Sequence, residues 1–285
     1  MNIKHLAVLM TCHNRREKTL TCLQQLSQQN LPANVKIQVY LVDDYSTDGT
    51  REAVISAYPD IKVIQGNGNL FWNGGMRLAF AEAIQLNYDY YLWLNDDTLL
   101  YSEAVNTLLT TSDNLKSLGH HQAIVVGSTQ DPETGVLTYG GMVRDSWWHP
   151  LKFSLVQPDV EAKPCLTMNG NCVLIHREVV QSIGNLDATF THNTGDIDYG
   201  LRAQKHNCSI WIVPGYVGTC ENNVSGLKIW EQTNKSLREQ WHQVNQPKGL
   251  PLKEWKTFAY RYAGWFWPIY WLLPYARLLM NIKSF

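Results

Sequence analysis

The sequence predicts an α/β fold: a single mixed, mostly parallel sheet flanked by helices, followed by an aromatic helical tail. Three observations carry that reading. Strand-length runs rich in apolar residues, at Leu6–Met10, Lys36–Val42, Ile61–Ile64 and Tyr90–Leu94, alternate with segments of helical spacing. Such alternation builds parallel sheets, because two parallel strands must be joined by a crossover of helix length. Polar clusters follow Met10, Val42 and Leu94, and parallel sheets bind ligands beyond the carboxyl ends of their strands.

Taken in order, Leu6–Met10 reads as a strand buried on both faces, and Thr11-Cys-His-Asn14 as a polar turn. Arg15–Gln29 is a helix with Leu20, Leu23 and Leu26 in step. Lys36–Val42 is a second strand ending in Asp43-Asp44, and Thr50–Tyr58 a helix closed by Pro59. Ile61–Ile64 is a third strand, 66–75 a Gly/Asn-rich loop, and Met76–Leu86 a helix. Tyr90–Leu94 is a fourth strand ending in Asn95-Asp96-Asp97. Strands follow at Ala123–Gly127, Cys172–Ile175 and Ser209–Val213, the last ended by Pro214, with helices at Arg177–Ile183 and Asp196–Lys205. Residues 130–165 read as loop. The expected division is a catalytic domain over 1–225, with a nucleotide-binding half (1–100) and an acceptor-binding half (101–225), and an extension over 226–285.

Composition narrows the function. The 285 residues are 45% hydrophobic, enough for a packed core. A net charge of −1 gives no support for nucleic-acid binding. Six cysteines without a C-x-x-C pair read as reduced core thiols. The N-terminal apolar run is too short for a signal peptide, so a cytoplasmic location is expected. The N-x-S triplets at Asn223 and Asn234 are then chance matches.

The carboxylates carry the chemistry. Adjacent Asp96 and Asp97 at a strand end repel each other unless a cation or donors compensate. Hard cations such as Mg²⁺ typically take one or two carboxylates plus substrate phosphates. The same residues are also good turn and N-cap chemistry. Asp43-Asp44 offers acceptors for a base N–H or ribose hydroxyl, beside Ser46, Thr47 or Asp48 as helix caps. Asp196 and Asp198 open a helix, where acidic residues suit the macrodipole. Arg202, four residues on, is placed to pair with Asp198, which leaves Asp196 as the candidate general base.

Together these residues resemble family 2 of the glycosyltransferases, with the A-type nucleotide-sugar fold. Val42-Asp43-Asp44-Tyr45-Ser46-Thr47-Asp48 is similar to that family's V-D-D-x-S-x-D element, and Leu94-Asn95-Asp96-Asp97-Thr98 to its D-x-D metal site. Gly195-Asp196-Ile197-Asp198 through Arg202 is similar to its E-D-x-D-x-x-x-R segment, preceded by the turn and strand of Met168–Arg177. The order and spacing agree over roughly residues 5–225.

The resemblance implies an inverting transfer from a nucleoside-diphosphate sugar, dTDP- or UDP-linked, to a glycan or lipid-linked acceptor, with Asp196 as base. It implies a divalent metal, Mg²⁺ or Mn²⁺, on Asp97, with Glu221 in the place of a His ligand that many members carry. It places Thr11, Asn14, Arg15, Asp43, Asp44, Asn95 and Asp96 near the donor, and Asn169, Gly170, Asn171 and Trp147 near the acceptor. The loop Asn69–Arg77 resembles a donor-contacting loop found in a rhamnosyltransferase-containing subset, with Trp72 stacking on a sugar or base, Asn73 near the donor, the backbone at Gly74-Gly75 approaching a phosphate, and Arg77 pairing with the diphosphate. Two departures stand out: Asn95 at the first acidic position of D-x-D, and Gly195 where the family has Glu. They leave room for a second reading, a catalytically inactive sugar-nucleotide-binding or scaffold protein. A Rossmann dehydrogenase fails, because no G-x-G-x-x-G follows the first strand. A metal-dependent phosphohydrolase would use the same carboxylates without an acceptor.

In the tail, Trp255, Phe258, Tyr262, Trp265, Phe266 and Ile269 recur at helical spacing. Pro268 and Pro274 are expected to interrupt a helix, and the uncharged run Tyr262–Ala276 is short of the ~20 residues that span a bilayer. Aromatic residues with Lys253, Lys256, Arg261, Arg277 and Lys283 suit a membrane surface, here the inner face of the cell membrane. The alternative is packing on the core or in a homodimer interface.

Overall fold

The computed structural model describes residues 3–222 and 236–280; Asn223, Asn234 and Lys283 lie outside them. The chain runs β1 (Lys4–Cys12), α1 (Arg16–Ser27), β2 (Val35–Asp43), α2 (Thr50–Ala57), β3 (Lys62–Gln65), α3 (Phe71–Ile84), β4 (Tyr90–Leu94), β5 (Leu99–Leu100), α4 (Ala104–Ser117) and β6 (Ala123–Gln130). It continues through β7 (Leu137–Tyr139), β8 (Gly141–Arg144), β9 (Phe153–Leu155), β10 (Lys163–Cys165), β11 (Thr167–Met168), β12 (Cys172–His176), α5 (Arg177–Ile183), α6 (Gly195–Lys205) and β13 (Ser209–Thr219). In the second described stretch come α7 (Leu237–Val244), α8 (Leu252–Tyr262), a 3-10 turn at Gly264–Phe266 and α9 (Trp267–Leu279).

The main sheet has the order β10-β13-β6-β12-β4-β1-β2-β3, with β5 on β13 and β7 on β6. The first four long strands are parallel, β12 runs antiparallel to both β4 and β6, and β13 is parallel to β6. Its inner strands are covered on both faces. In β1, Leu6, Val8 and Met10 pack with Leu23, Leu26 and Leu108 on one side. Ala7 and Leu9 pack with Met76, Phe80 and Tyr199 on the other.

The chain leaves β1 for β2 on one side and later returns to place β4 on the other. That reversal is where open α/β sheets form a crevice for ligands. Because β12 is reversed, its start, rather than its end, shares an edge with the ends of β1, β2, β4 and β13.

Three expectations are corrected. Residues 130–165 contain β7 to β10, with β8, β9 and β11 forming a second, three-stranded sheet. Pro214 does not end β13, which runs on to Thr219; Pro214 sits at a register irregularity between Ile212 and Tyr216, where its missing N–H breaks no ladder bond. Pro274 lies inside α9 without ending it, and Pro268 occupies the first turn, where a missing N–H costs nothing.

Candidate active site

The Asn95-Asp96-Asp97 strand end meets the β1–α1 turn. Arg15 Nη1 donates to Asp96 Oδ1 at 3.0 Å and to Asp97 Oδ2 at 2.7 Å. Asp96 also accepts from the Thr19 hydroxyl. Burial, with Asp97 adding to it, pushes the Asp96 carboxyl up to about 6 despite Arg15. Cys220 Sγ lies 3.7 Å from Asp97 Oδ1; burial and Asp97 push that thiol up to about 12, so it stays protonated and donates.

The catalytic candidate sits at the start of α6. Asp196 Oδ2 accepts from the Gly170 N–H at 2.9 Å and Oδ1 from the Ile197 N–H at 2.8 Å. Burial raises its carboxyl to about 6, outweighing these backbone donors. A Cβ on Gly170 would stand 2.3 Å from Trp72 Cζ2 and 3.4 Å from Asp196 Cβ, so the indole, the glycine and the carboxylate are neighbours. The indole N–H donates to Asn95 Oδ1 at 2.7 Å. The Asn95 backbone in turn donates to the Asn171 carbonyl, and Asn171 Nδ2 reaches Cys220. One contact chain thus links Arg15, Asp96, Asp97, Cys220, Asn171, Asn95, Trp72, Gly170 and Asp196 along the ligand-binding edge of the sheet.

The two departures from the family pattern have local causes. Asn95 spends its side-chain oxygen on Trp72 rather than on a cation. At Gly195 a Cβ would stand 2.0 Å from Asn73 Oδ1, so Asn73 fills the space that a glutamate would need.

Several expected donor residues make contacts that hold the scaffold. Asp44 accepts from the N–H groups of Gly68, Leu70 and Phe71, pinning the loop into α3. Asp43 has no exposed surface and accepts from the Ser46 N–H, so it shapes its turn. Asn14 ties the β1 and β2 loops together through Ser46 and Thr47. Thr11 packs under Gly75, where a Cβ would come within 2.1 Å of its hydroxyl.

Gly74 and Gly75 belong to α3, which starts at Phe71 instead of Met76. The first-turn N–H groups are spent on Asp44, His192, the Thr191 carbonyl and the Leu70 carbonyl, so no phosphate cradle forms there. Asn73 is buried and donates to the Asp187 and Phe190 carbonyls. Arg77, one turn on, receives the Asn185 amide on its carbonyl and keeps a buried, unpartnered Nε.

Asn169 donates its N–H to Gly140. Trp147 stands 91% exposed on the turn between β8 and β9. Glu221 pairs with Lys18 at 3.0 Å, as Asp97 does with Arg15 at 2.7 Å.

Two adjacent carboxylates at a strand end are the oxygen chemistry that a hard divalent ion takes. One guanidinium against two carboxylates leaves an excess negative charge, largely buried, at the strand end. Among the described residues no three His, Cys, Asp or Glu side chains form a metal cage, so further oxygens would come from the diphosphate and water, the usual Mg²⁺ arrangement.

Residues with no sequence signal also enter the site. His192 accepts the Trp72 N–H through Nδ1; burial, helped by Lys248 and Arg15, pushes it down to about 4 and keeps it neutral. Glu254 accepts from Thr191 N and Oγ1. Arg261 bridges Asp198 (2.8 Å) and Asp187 (2.7 Å), and the Tyr262 hydroxyl donates to Asp198.

The model of the family described as "Glycosyl transferase family 2" matches residues 7–184, more than half of the chain. The chain belongs to glycosyl transferase family 2. It is similar to the N-acetylglucosaminyl-diphospho-decaprenol L-rhamnosyltransferase of Mycobacterium tuberculosis, 22% identical over 205 residues that cover 63% of this chain and 65% of that protein. It is also similar to the low-salt glycan biosynthesis hexosyltransferase Agl10 of Haloferax volcanii, 25% identical over 60% of this chain and 54% of that protein. The matched stretches therefore span less than two thirds of either relative's length. Among solved structures, S. aureus TarS 1–349 superposes with a TM-score of 0.56 at 14% identity, covering 96% of this chain and 73% of that one. The mannosyltransferase PcManGT of Pyrobaculum calidifontis, in complex with GDP-Man and Mn²⁺, does so with 0.56 at 16% identity, covering 99% and 71%. The fold is the A-type glycosyltransferase fold.

Proposed function

We propose that this protein is an inverting glycosyltransferase that moves a hexose or deoxyhexose, L-rhamnose foremost, from a dTDP- or UDP-linked donor to a glycan or lipid-linked saccharide in bacterial surface polysaccharide synthesis. The observation that carries this reading is the convergence of a shielded carboxylate, Asp196, with the Arg15–Asp96–Asp97 cluster around Trp72 and Gly170.

Asp196 takes the proton of an acceptor hydroxyl. The oxygen attacks the anomeric carbon in line, the bond to the diphosphate breaks, and its electron pair leaves with the phosphate on the opposite face. Arg15, half-exposed beside the carboxylates, faces the departing charge. A Mg²⁺ or Mn²⁺ ion on Asp97 supplies further charge neutralisation when bound. Asn95 and Gly195, which admitted a non-catalytic protein, are explained by Trp72 and Asn73 without loss of the base.

A thermal-shift screen of nucleotide sugars with and without Mn²⁺ tests the donor. Ligand at a hundred times Kd stabilises by about 2.7 kcal/mol, so the true donor should raise Tm by several degrees, more so with metal. No shift with any nucleotide sugar or nucleoside diphosphate removes the reading.

The tail supports a peripheral place on the inner membrane face. No helix of the described residues is long and apolar enough to cross a membrane. Around α9, Trp265 is 97% exposed, with Phe266, Ile269, Leu272, Leu279 and Met280 exposed beside it. Arg261, expected among the headgroup contacts, is instead spent on Asp187 and Asp198. Full-length protein should sediment with vesicles containing anionic lipid. Trp265→Ser with Phe266→Ser should release it, leaving turnover of a soluble acceptor unchanged. A dimer that the same double variant dissociates, without vesicle binding by the wild type, would assign the face to a second copy.

A further inference from the structure

The polar side chains that α8 aims at the core converge on one loop. That loop, 187–198, runs from the end of α5 into α6 and ends on the catalytic candidate. Glu254, almost fully buried, holds Thr191 twice, at 3.1 Å through the backbone N–H and 2.8 Å through the hydroxyl. The Asn193 amide donates to the Gly249 carbonyl at 2.7 Å. Arg261 spans both ends of the loop, with Nη2 on Asp187 and Nη1 on Asp198. Phe258 and Tyr262 pack against Phe190 and Leu201 beneath it. On the core side the same loop supplies His192 to the Trp72 N–H and the Thr191 carbonyl to the Asn73 N–H.

Asp196 is therefore held indirectly. Its own partners are two backbone N–H groups, and among the described residues no side chain hydrogen-bonds its carboxylate. The position of that carboxylate is set by where α6 starts, and α8 pins that start from the outside while Asn73 and Thr167 hold it from the core.

We propose that the C-terminal extension is part of the catalytic machinery, with Glu254 and Arg261 as positioning residues that act on Asp196 through the 187–198 loop. This rests on Asp196 being the base. It makes the extension more than an anchor: a chain whose α8 is loosened binds donor but transfers slowly, because the ion pairs of Arg15 with Asp96 and Asp97 do not involve α8 or the loop that it holds.

The test compares Glu254→Ala, Glu254→Gln and Arg261→Gln with wild type in the full-length protein. Glu254→Gln keeps one acceptor for Thr191, whereas Glu254→Ala keeps none. Asp198 is avoided because its loss is expected to cost the most stability. The expected result is a kcat at least tenfold lower in Glu254→Ala and Arg261→Gln, with donor KM and nucleoside-diphosphate affinity within threefold of wild type. Glu254→Gln should recover most of the rate. The acid limb of the pH–rate profile should move to lower pH as water reaches Asp196. Independently of turnover, hydrogen exchange at the amides of 191–198 should quicken at least tenfold. An unchanged kcat, or unchanged exchange in that loop, overturns the proposal, as does a donor affinity that falls in step with kcat. If the wild type transfers no sugar at all, the functional reading fails, and exchange alone still decides whether α8 pins the loop.

Discussion

Asp196→Asn should be inactive and yet more stable than wild type at neutral pH. A general base contributes about 10²–10⁴-fold to rate, and kcat should fall by that factor while donor affinity holds. The stability gain follows from the same burial. The folded-state carboxyl is raised from the ordinary 3.8 to about 6. Between those values the folded chain keeps a proton that the unfolded chain has released, so stability falls as pH rises through this window. Above pH 6 the ionised carboxylate carries a constant cost of up to about 3 kcal/mol. The amide escapes that cost but accepts only one of the two N–H groups that Asp196 accepts. The net gain at pH 7 should therefore be about 1–2 kcal/mol, a few degrees in Tm, vanishing by about pH 4. The wild-type rate should drop tenfold per pH unit below about 6, and denaturant melts at pH 4 and pH 7 measure the rest. A variant that is inactive and less stable at pH 7 would make Asp196 a structural residue.

How much of this was legible in the sequence depends on the range of the contacts. The parallel half was readable because each strand there is a short run whose residues meet helices on both faces, as Leu6–Met10 shows. The carboxylate strand ends were readable because polarity changes abruptly where a buried strand emerges. The start of α3 was not. Gly74-Gly75 imitates a loop, but the chain uses Gly75 to bring the helix onto Thr11, and the cap comes from Asp44, 26 and 27 residues upstream. The grip of Asp44 on that loop was hidden for the same reason: in sequence, an acceptor that serves the protein's own N–H groups reads the same as one that serves a ribose. The strands of 137–165 are three or four residues long, too short for a period to show. The grip of α8 on the 187–198 loop joins residues more than fifty positions apart, and nothing local in Glu254 or Arg261 signals it. Pairing of Asp198 with Arg202 was readable, being one helical turn; the second arginine on the same carboxylate was not.

That shared carboxylate sets the largest expected effect on stability. Asp198 has no exposed surface. It accepts from Arg202 Nε at 2.8 Å, Arg261 Nη1 at 2.8 Å and the Tyr262 hydroxyl at 2.7 Å. Asp198→Ala removes the single anion on which two guanidiniums converge. Arg202 keeps the carbonyls of Ile183 and Asn185, and Arg261 keeps Asp187, but their charges lose the partner that neutralised them in a buried setting. Breaking a buried pair from one side costs about 3–5 kcal/mol, against a typical total of about 5–15. The urea midpoint should fall accordingly, with the slope unchanged if unfolding stays cooperative. Arg202→Met and Arg261→Met, each leaving the carboxylate one guanidinium and the tyrosine, should cost clearly less. If Asp198→Ala costs no more than either arginine variant, the three contacts are not one network. The extension would then be a separately stable unit, and the rate of transfer would have no reason to depend on it.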